Sequence, residues 1–158
     1  MNRTKILLAQ EATIIADIAQ SLSCYDVIPV TTLLQAKRMI LEDGIDIFVI
    51  GIHFDDSSAL ELVRYIRESQ KHCQTPVLVI RVLPSQFAKT LKLSVEAVKK
   101  PYDIADYLEL EGHADPGWKL REAVNYHLEK SRKTQKMDSD WIIQEPALPN
   151  RNIRQYQK

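Results

Sequence analysis

Residues 45–52 read IDIFVIGI, and residues 76–82 read PVLVIRV. Both runs are short and almost wholly apolar, which is typical of strands that are covered on both faces. Residues 5–9 (KILLA) give a similar signal. Each of the three runs is followed by a polar loop and then by apolar residues at helical spacing. Alternating strands and helices predict a parallel sheet with right-handed crossovers and with any site at the carboxyl ends of the strands.

Two weaker runs complete the predicted sheet. Residues 27–30 indicate a brief strand, and Pro29 places it at an edge because proline cannot donate to a strand ladder. Residues 95–98 are predicted as the last strand, after a helix over 85–93 and before the step Lys100, Pro101, Tyr102. The fold class is therefore α/β: a doubly wound, five-stranded parallel sheet in a three-layer α/β/α sandwich.

The remainder of the chain is less regular. Residues 103–115 are interpreted as an acidic insertion, ending where Asp115 can cap a helix and Pro116 can begin it. A last helix over 118–132 closes a single domain at 1–133. Residues 134–158 are polar with little periodicity, so they are predicted to form an extended tail. Within that tail, residues 141–143 (WII) either pack back on the domain or form a short docking motif.

Composition excludes several classes of function. The chain has 158 residues, and its 21 basic residues balance its 21 acidic ones, so no overall field attracts nucleic acid or an anionic membrane. Its two cysteines, Cys24 and Cys73, lack metal-ligand spacing and are expected to be free thiols. The apolar run near the start is too short for a secretion signal or a membrane span. These features indicate a cytoplasmic protein without a cofactor or a metal.

Four blocks of the chain carry a resemblance to a known family. In order, they are KILLAQEA, DIFVIGIHFDDSSALELVRYIRE, TPVLVIRV and VKKPYD. Together they resemble strand 1, strand 3 with its helix, strand 4 and strand 5 of response-regulator receiver domains, over about residues 3–103. The resemblance implies a flavodoxin-like, CheY-like fold and a place in two-component phosphorelay signalling in bacteria.

The resemblance also implies where a phosphorylation site would lie. A working receiver has paired acids after strand 1 for Mg²⁺, an aspartate nucleophile at the end of strand 3, a hydroxyl after strand 4 and a lysine before a proline. These groups attack the phosphoryl group, offset its charge and receive its oxygens. In this chain the acid pair falls on Gln10 and Glu11, the nucleophile on Gly51, the hydroxyl on Arg81 and the lysine on Lys100.

These replacements predict a degenerate pocket. Glycine has no side chain to phosphorylate, and the aromatic position three residues before the lysine falls on Ala97. We expect either an ion-pair cluster of Glu11, Arg81 and Lys100, or the same charges unpaired at the loop rim. Gly51→Asp alone is expected to fail because Arg81 would pair with the new carboxylate; the triple change Gln10→Asp, Gly51→Asp, Arg81→Thr should do better.

The leading hypothesis is therefore a pseudo-receiver, which is a non-enzymatic interaction module that acts without phosphorylation. Its expected partner is a protein of a signalling pathway, such as a histidine kinase or an output protein, and not nucleic acid or a membrane; a homodimer is left open. The partner-binding candidates lie in and after the expected insertion, and charge reversal at the two glutamates among them is expected to leave the fold intact. They are Tyr107, Glu109, Glu111 and Trp118.

Three alternatives remain open at the level of sequence. A receiver could be phosphorylated at a shifted site, Asp55 or Asp56. A flavodoxin-like redox or phosphoryl-handling enzyme could share the architecture, although the loop after strand 1 (QEAT) lacks the glycines and hydroxyls that cradle phosphate. A DNA-binding regulator is opposed by the neutral charge and by a tail too short for a helix-turn-helix domain.

Overall fold

A computed structural model describes residues 2–42 and 44–142, with the backbone alone for Trp141 and Ile142. Five parallel strands form one sheet in the order β2-β1-β3-β4-β5. The strands are β1 (Lys5–Ala9), β2 (Asp26–Val30), β3 (Ile47–Gly51), β4 (Val77–Arg81) and β5 (Asp106–Glu109). This is the predicted doubly wound α/β fold, and β2 with its Pro29 lies at an edge as expected.

Helices cover both faces of the sheet. They are α1 (Ile15–Ser21), α2 (Leu33–Glu42), the single distorted turn α3 (Phe54–Ser57), α4 (Ala59–Glu68), α5 (Ala88–Lys99) and α6 (Pro116–Ile142). None of the helices described is both long enough and apolar enough to cross a membrane. The two apolar runs that suggested the fold, β3 and β4, are buried at every position in the centre of the sheet.

Alternation along the strands divides the core into two layers. On one face, Leu7, Ile50 and Val79 pack with buried side chains of α2, α4 and α5. On the other face, Leu8 and Ile80 pack with buried side chains of α1 and α6. The result is a three-layer sandwich whose strands all end at the same edge of the sheet.

The prediction of the fifth strand was wrong. Residues 95–98 belong to α5, where Val95 is fully buried and Val98 is partly buried against the same core. The spacing of Leu91, Val95 and Val98 is helical, so the short apolar run was a helix face rather than a strand. The true strand, β5, pairs with β4 in the register Ile80↔Leu108.

Two boundaries change in consequence. Residues 103–115 are not an insertion, because they contain β5 and the short connection to α6. The domain also does not end in an extended tail at residue 134, because α6 continues to Ile142 with its last turns exposed. The expected tail therefore begins as helix; its residues 143–158, with the side chains of Trp141 and Ile142, lie outside the part described.

The predicted start of α6 is confirmed, and side-chain hydrogen bonds also form at the starts of α2 and α4. Asp115 caps α6, since its Oδ1 accepts the backbone N–H of Trp118 at 2.9 Å. At α2, Thr32 Oγ1 accepts the N–H of Gln35 at 3.3 Å, but Gln35 Oε1 reaches back to the N–H of Thr31 instead. Ser58 precedes α4 without capping it, because its hydroxyl donates to the carbonyl of Asp55.

Arg67 stabilises the opposite edge of the sheet, where β4 and β5 begin. Its guanidinium donates to five backbone carbonyls, on both the α4–β4 and the α5–β5 connections. The acceptors are His72, Cys73, Thr75, Tyr102 and Asp103, at 2.7 to 3.3 Å. Burial lowers the pKa of Arg67 from its ordinary value, and the nearby Asp103 opposes that change. The cation thus supplies donors to carbonyls that no strand or helix pairs.

Candidate functional site

The candidate site lies at the carboxyl ends of the three central strands. Gln10 directly follows β1, Gly51 is the last residue of β3, and Arg81 is the last residue of β4. The sequence therefore placed these three residues correctly. Because parallel strands end at one edge of the sheet, ligand sites of this architecture form there.

Gln10 fills the space beside Gly51. A Cβ at position 51 would lie 1.9 Å from Gln10 Oε1 and 2.4 Å from Gln10 Cδ. The Gln10 side chain is also held in place, since its Oε1 accepts the backbone N–H of Glu11 at 3.2 Å and only 2% of the residue is exposed. The space beside Gly51 is therefore filled, because the neutral amide of Gln10 occupies it.

Lys100 does not reach this edge. It terminates α5 and precedes the start of β5, so it lies towards the opposite edge of the sheet. With β5 at Asp106–Glu109, the residue that follows the last strand is Leu110, which is 2% exposed and packs in the core layer shared with α1 and α6. The residue directly after the last strand is therefore the buried Leu110 and not Lys100.

An aromatic residue lies three positions before Leu110. It is Tyr107 on β5, whereas Ala97 lies in α5. Tyr107 is 9% exposed and packs on the face of the sheet that α5 covers. The sequence did not place Tyr107, a predicted partner-binding residue, or Leu110 at the last strand, because β5 is short and carries acidic residues at both ends, a weak strand signal.

Arg81 forms an ion-pair cluster with two carboxylates that were not predicted to be its partners. Its guanidinium lies 3.7 Å from the Glu109 carboxylate and 3.5 Å from that of Glu111, and its Nη1 donates to the Leu83 carbonyl at 3.1 Å. Neither Glu11 nor Lys100 takes part, so the predicted cluster is corrected. The Arg81 side chain is 6% exposed, whereas its two acidic partners are more than one-third exposed. The cluster ties the end of β4 and the loop after it to β5.

Two polar atoms beneath this cluster lack a well-formed hydrogen bond. Among the described residues, Arg81 Nε and the Tyr107 hydroxyl are the buried side-chain atoms without a partner. Burial raises the pKa of Tyr107 above its ordinary value, and the charge of Glu109 raises it further. The neighbouring Arg81 guanidinium acts in the opposite direction. Tyr107 is therefore a neutral, inward-facing phenol rather than an exposed anchor.

The β3–α4 loop gives its aspartates a structural role. Asp55 Oδ2 accepts the backbone N–H of Leu33, at the start of α2, at 2.7 Å. Asp55, Asp56 and Ser57 all have positive φ angles of 42° to 69°, which is uncommon for residues other than glycine. The Asp55 carboxylate thus caps a neighbouring helix, while Asp56 is exposed.

The remaining candidates divide by exposure. Trp118 is 51% exposed in the first turn of α6, as an anchor for a partner requires. Lys119 Nζ donates to the Glu109 carbonyl at 3.0 Å, so the start of α6 is attached to β5. Cys24 and Cys73 are both free thiols, as predicted, and both are exposed. In the part of the chain that the structure describes, no group of three or more potential metal ligands comes together.

Solved structures with this fold share low sequence identity with the chain. No family model matches the chain, and no curated protein does so either. It is similar to a signal receiver domain of a LuxO repressor protein from Vibrio parahaemolyticus, with 21% identity, a TM-score of 0.66, and 85% of this chain and 97% of that one covered. It is also similar to a CheY-like receiver domain protein from Methanospirillum hungatei, with 14% identity, a TM-score of 0.63, and 85% and 99% covered. A third similar structure, titled adenylate cyclase from Rhodopirellula baltica, has 14% identity, a TM-score of 0.67, and 92% and 100% covered. The likeness establishes a CheY-like, flavodoxin-like α/β fold for this chain.

Proposed function

We propose that this protein is a pseudo-receiver, a non-enzymatic signalling module that acts by binding other proteins and does not depend on phosphorylation. The observation that carries the proposal is the position of Gln10, whose amide fills the space next to Gly51. Phosphoryl transfer to a receiver needs a carboxylate nucleophile, a divalent cation and donors for the phosphoryl oxygens. At the corresponding edge, this chain has the Gln10 amide packed against a glycine, and the cation there, Arg81, is already held by Glu109 and Glu111.

The structural neighbours support the signalling part of the proposal. Among them are signal receiver domains and an orphan response regulator of Helicobacter pylori, which is 16% identical with a TM-score of 0.56. A receiver fold that has lost its phospho-acceptor retains its surfaces, and these bind protein partners such as a histidine kinase or an output protein. We therefore expect a protein ligand, in the cytoplasm, and neither nucleic acid nor a membrane.

The binding surface that we propose consists of β5 at the sheet edge with the first turns of α6. Trp118 supplies an exposed aromatic side chain there, and aromatic side chains dominate the energetics of many interfaces. Tyr107 no longer belongs to this surface because it is buried. The Arg81 cluster fixes the loop between β4 and α5 beside β5, so the surface is presented in one conformation.

Treatment with phosphodonors tests the absence of phosphorylation. The purified protein is incubated with acetyl phosphate or beryllofluoride and Mg²⁺, and its intact mass and Mg²⁺ affinity are measured. We expect no adduct. A stable adduct that disappears in Asp55→Ala or in Asp56→Ala would show that the phosphorylation site had moved to that residue, and the proposal would then be wrong.

A matched pair of variants tests the binding surface. Trp118→Ala and Tyr126→Ala each remove one exposed aromatic residue from α6, 51% and 60% exposed respectively. In a pull-down from the native cytoplasm, we expect Trp118→Ala, but not Tyr126→Ala, to lose partners that bind the unmodified protein. Equal recovery by both variants would exclude this surface as the output surface.

A further inference from the structure

The loop between β3 and α4 holds three consecutive residues in a strained backbone conformation. Asp55, Asp56 and Ser57 have φ angles of 42°, 53° and 69°. Residues other than glycine enter this left-handed region as single residues, because the Cβ atom then crowds the backbone. Strain of this kind persists only where the surrounding structure holds it in place. We call residues 55–57 the strap.

Both ends of the strap are fixed. Phe54, directly before it, and Ala59, at the start of α4, are fully buried in the core layer shared with α2, α4 and α5. The backbone N–H of Ser58 donates to the carbonyl of Phe54 at 2.8 Å, so this hydrogen bond spans the three strap residues. Relaxation of the strap must therefore take place within residues 55–57, and it would break this bond.

One hydrogen bond of the strap reaches another element. Asp55 Oδ2 accepts the backbone N–H of Leu33, the first residue of α2, at 2.7 Å. The hydroxyl of Thr32 does not serve this N–H, because it accepts the N–H of Gln35. A carboxylate at a helix N-terminus meets both a donor without a helical partner and the positive end of the helix dipole. The Asp55 carboxylate therefore holds the strap against α2.

The other two strap residues form no contacts that would offset their strain. Asp56 and Ser57 are exposed, and neither side chain has a hydrogen bond or an ion pair within the described ranges 2–42 and 44–142. The backbone strain therefore favours release of the strap, and the hydrogen bond of Asp55 to α2 opposes it. Strain at three residues and one charge-assisted hydrogen bond are of similar size.

The strap also lies close to the candidate site. Gly51 precedes Asp55 by four residues, and the neighbouring Gln10 donates its backbone N–H to the carbonyl of Val30, three residues before Leu33. The bond between Asp55 and Leu33 therefore joins two chain segments that both lead away from this site.

We propose that the strap is a two-state regulatory element. In its closed state it is strained and bound to α2 through Asp55. In its open state residues 55–57 relax to negative φ angles, and the N–H groups of Leu33 and Ser58 bind water instead. A partner protein that contacts the strap or the first turn of α2 changes the ratio of the two states. The element is separate from the β5–α6 surface.

Amide hydrogen exchange, followed residue by residue by NMR, tests the proposal. Leu33 and Ser58 lie in different elements, yet both amides should exchange through the same opening, with equal free energies that low urea concentrations leave unchanged. The amide of the fully buried Ile40 is the reference, and its exchange should accelerate with urea. If the amides of Leu33 and Ser58 follow Ile40, or open with different free energies, the open state does not exist. A merely frayed α2 would expose Leu33 without Ser58.

Glycine variants test whether strain drives the opening. Asp56→Gly with Ser57→Gly permits positive φ angles without strain, so the exchange of both amides should slow about ten-fold. Gln86→Gly is the matched control, since Gln86 is an exposed loop residue without a positive φ angle. Asp55→Ala should accelerate both amides about ten-fold. Unchanged exchange in the double glycine variant, or equal slowing by Gln86→Gly, would overturn the proposal. Because no partner and no Trp118 variant is involved, these measurements can fail independently of the proposed function.

Discussion

Gln10 and Gly51 are coupled, because the glutamine side chain occupies the volume that any side chain at position 51 would need. The nearest approach of a Cβ at position 51 would be 1.9 Å, to Gln10 Oε1. We expect Gly51→Ala to destabilise the protein by about 1 kcal/mol, the low end of the range for overpacking, because the atoms in contact are the movable end of the Gln10 side chain. In the background of Gln10→Ala, the same change should cost much less. Chemical denaturation of the four proteins of this cycle measures the coupling, and additive effects would show that Gln10 can leave its place freely.

Restoration of phosphorylation should require more than a nucleophile. Gly51→Asp alone should remain unlabelled by acetyl phosphate, primarily because Gln10 fills the space and not because Arg81 captures the carboxylate as the sequence suggested. The triple variant Gln10→Asp, Gly51→Asp, Leu110→Lys supplies the acid pair, the nucleophile and the ammonium group at one edge of the sheet. We expect intact-mass labelling in the triple variant without any change at Arg81. Labelling that appears only when Arg81→Thr is added would restore the original role of Arg81.

Charge reversal at Glu109 and Glu111 should cost stability. Both carboxylates face the guanidinium of Arg81, whose side chain is only 6% exposed. Two lysines there would leave a nearly buried cation against like charges, and we expect a loss of about 1 to 3 kcal/mol after allowance for the exposure of the acids. This replaces the sequence-based expectation of a tolerated change. Glu122→Lys with Glu129→Lys, at exposed positions of α6, is the control and should stay within about 0.5 kcal/mol. Equal melting temperatures for the two double variants would contradict the cluster.

Tyr107→Phe should change the free energy of unfolding little at neutral pH, and at alkaline pH the variant should be more stable than the unmodified protein. The buried hydroxyl lacks a well-formed hydrogen bond, so its removal should change stability by no more than about 1 kcal/mol at pH 7. The folded protein raises the pKa of Tyr107, so the folded state retains this proton where the unfolded state, with a pKa of about 10, releases it. The unmodified protein therefore loses stability as the pH rises above about 10, and Tyr107→Phe avoids that part of the loss. Unfolding free energies of both proteins between pH 8 and pH 11 provide the measurement, and parallel curves would contradict the prediction.

Substitution of Arg67 should destabilise the protein more than substitution of most other charged residues. Five carbonyls accept from its guanidinium, and hydrogen bonds to charged groups are stronger than neutral ones. We expect Arg67→Ala to destabilise the protein by about 2 to 4 kcal/mol, and Arg67→Lys by nearly as much, because an ammonium group cannot span both connections. Arg64→Ala, on the exposed side of the same helix, should leave the free energy of unfolding nearly unchanged, because exposed ion pairs contribute little. A lysine variant as stable as the unmodified protein would show that charge rather than geometry matters.

The central part of the fold was predictable because its signals are local. The apolar runs of β3 and β4, the edge position of Pro29 and the Asp115 cap each follow from a few neighbouring residues. The placement of Gln10, Gly51 and Arg81 at the strand ends followed from the same runs. The prediction of the last strand was wrong because residues 95–98 are as apolar as a strand but form the buried face of a helix. The helical spacing becomes visible only when Leu91 is included.

That single error accounts for most of the corrections at the candidate site. The last strand was predicted at residues 95–98 rather than at Asp106–Glu109. As a result, Lys100 instead of Leu110 was expected after the strand, and the acidic residues of β5 were interpreted as part of an insertion. The role of Gln10 could not be inferred at all, because whether an amide turns into the pocket or towards solvent depends on packing with residues distant in sequence. The Arg81 partners were missed for a related reason, since they come from a strand that had not been recognised.

Pro29 bears on how the open edge of this sheet is protected from pairing with strands of other molecules. The backbone of β2 faces β1 at Asp26, whose N–H donates to Thr4, and at Val30, whose carbonyl accepts from Gln10. Hydrogen-bonding groups of successive strand residues point to alternate sides, so the backbone of Pro29 faces the open side of the sheet. There its missing N–H sacrifices no bond within the sheet, and a strand from another molecule would find one donor fewer. The edge thus resists growth of the sheet between molecules, which leaves helix faces rather than strand edges as the route to association.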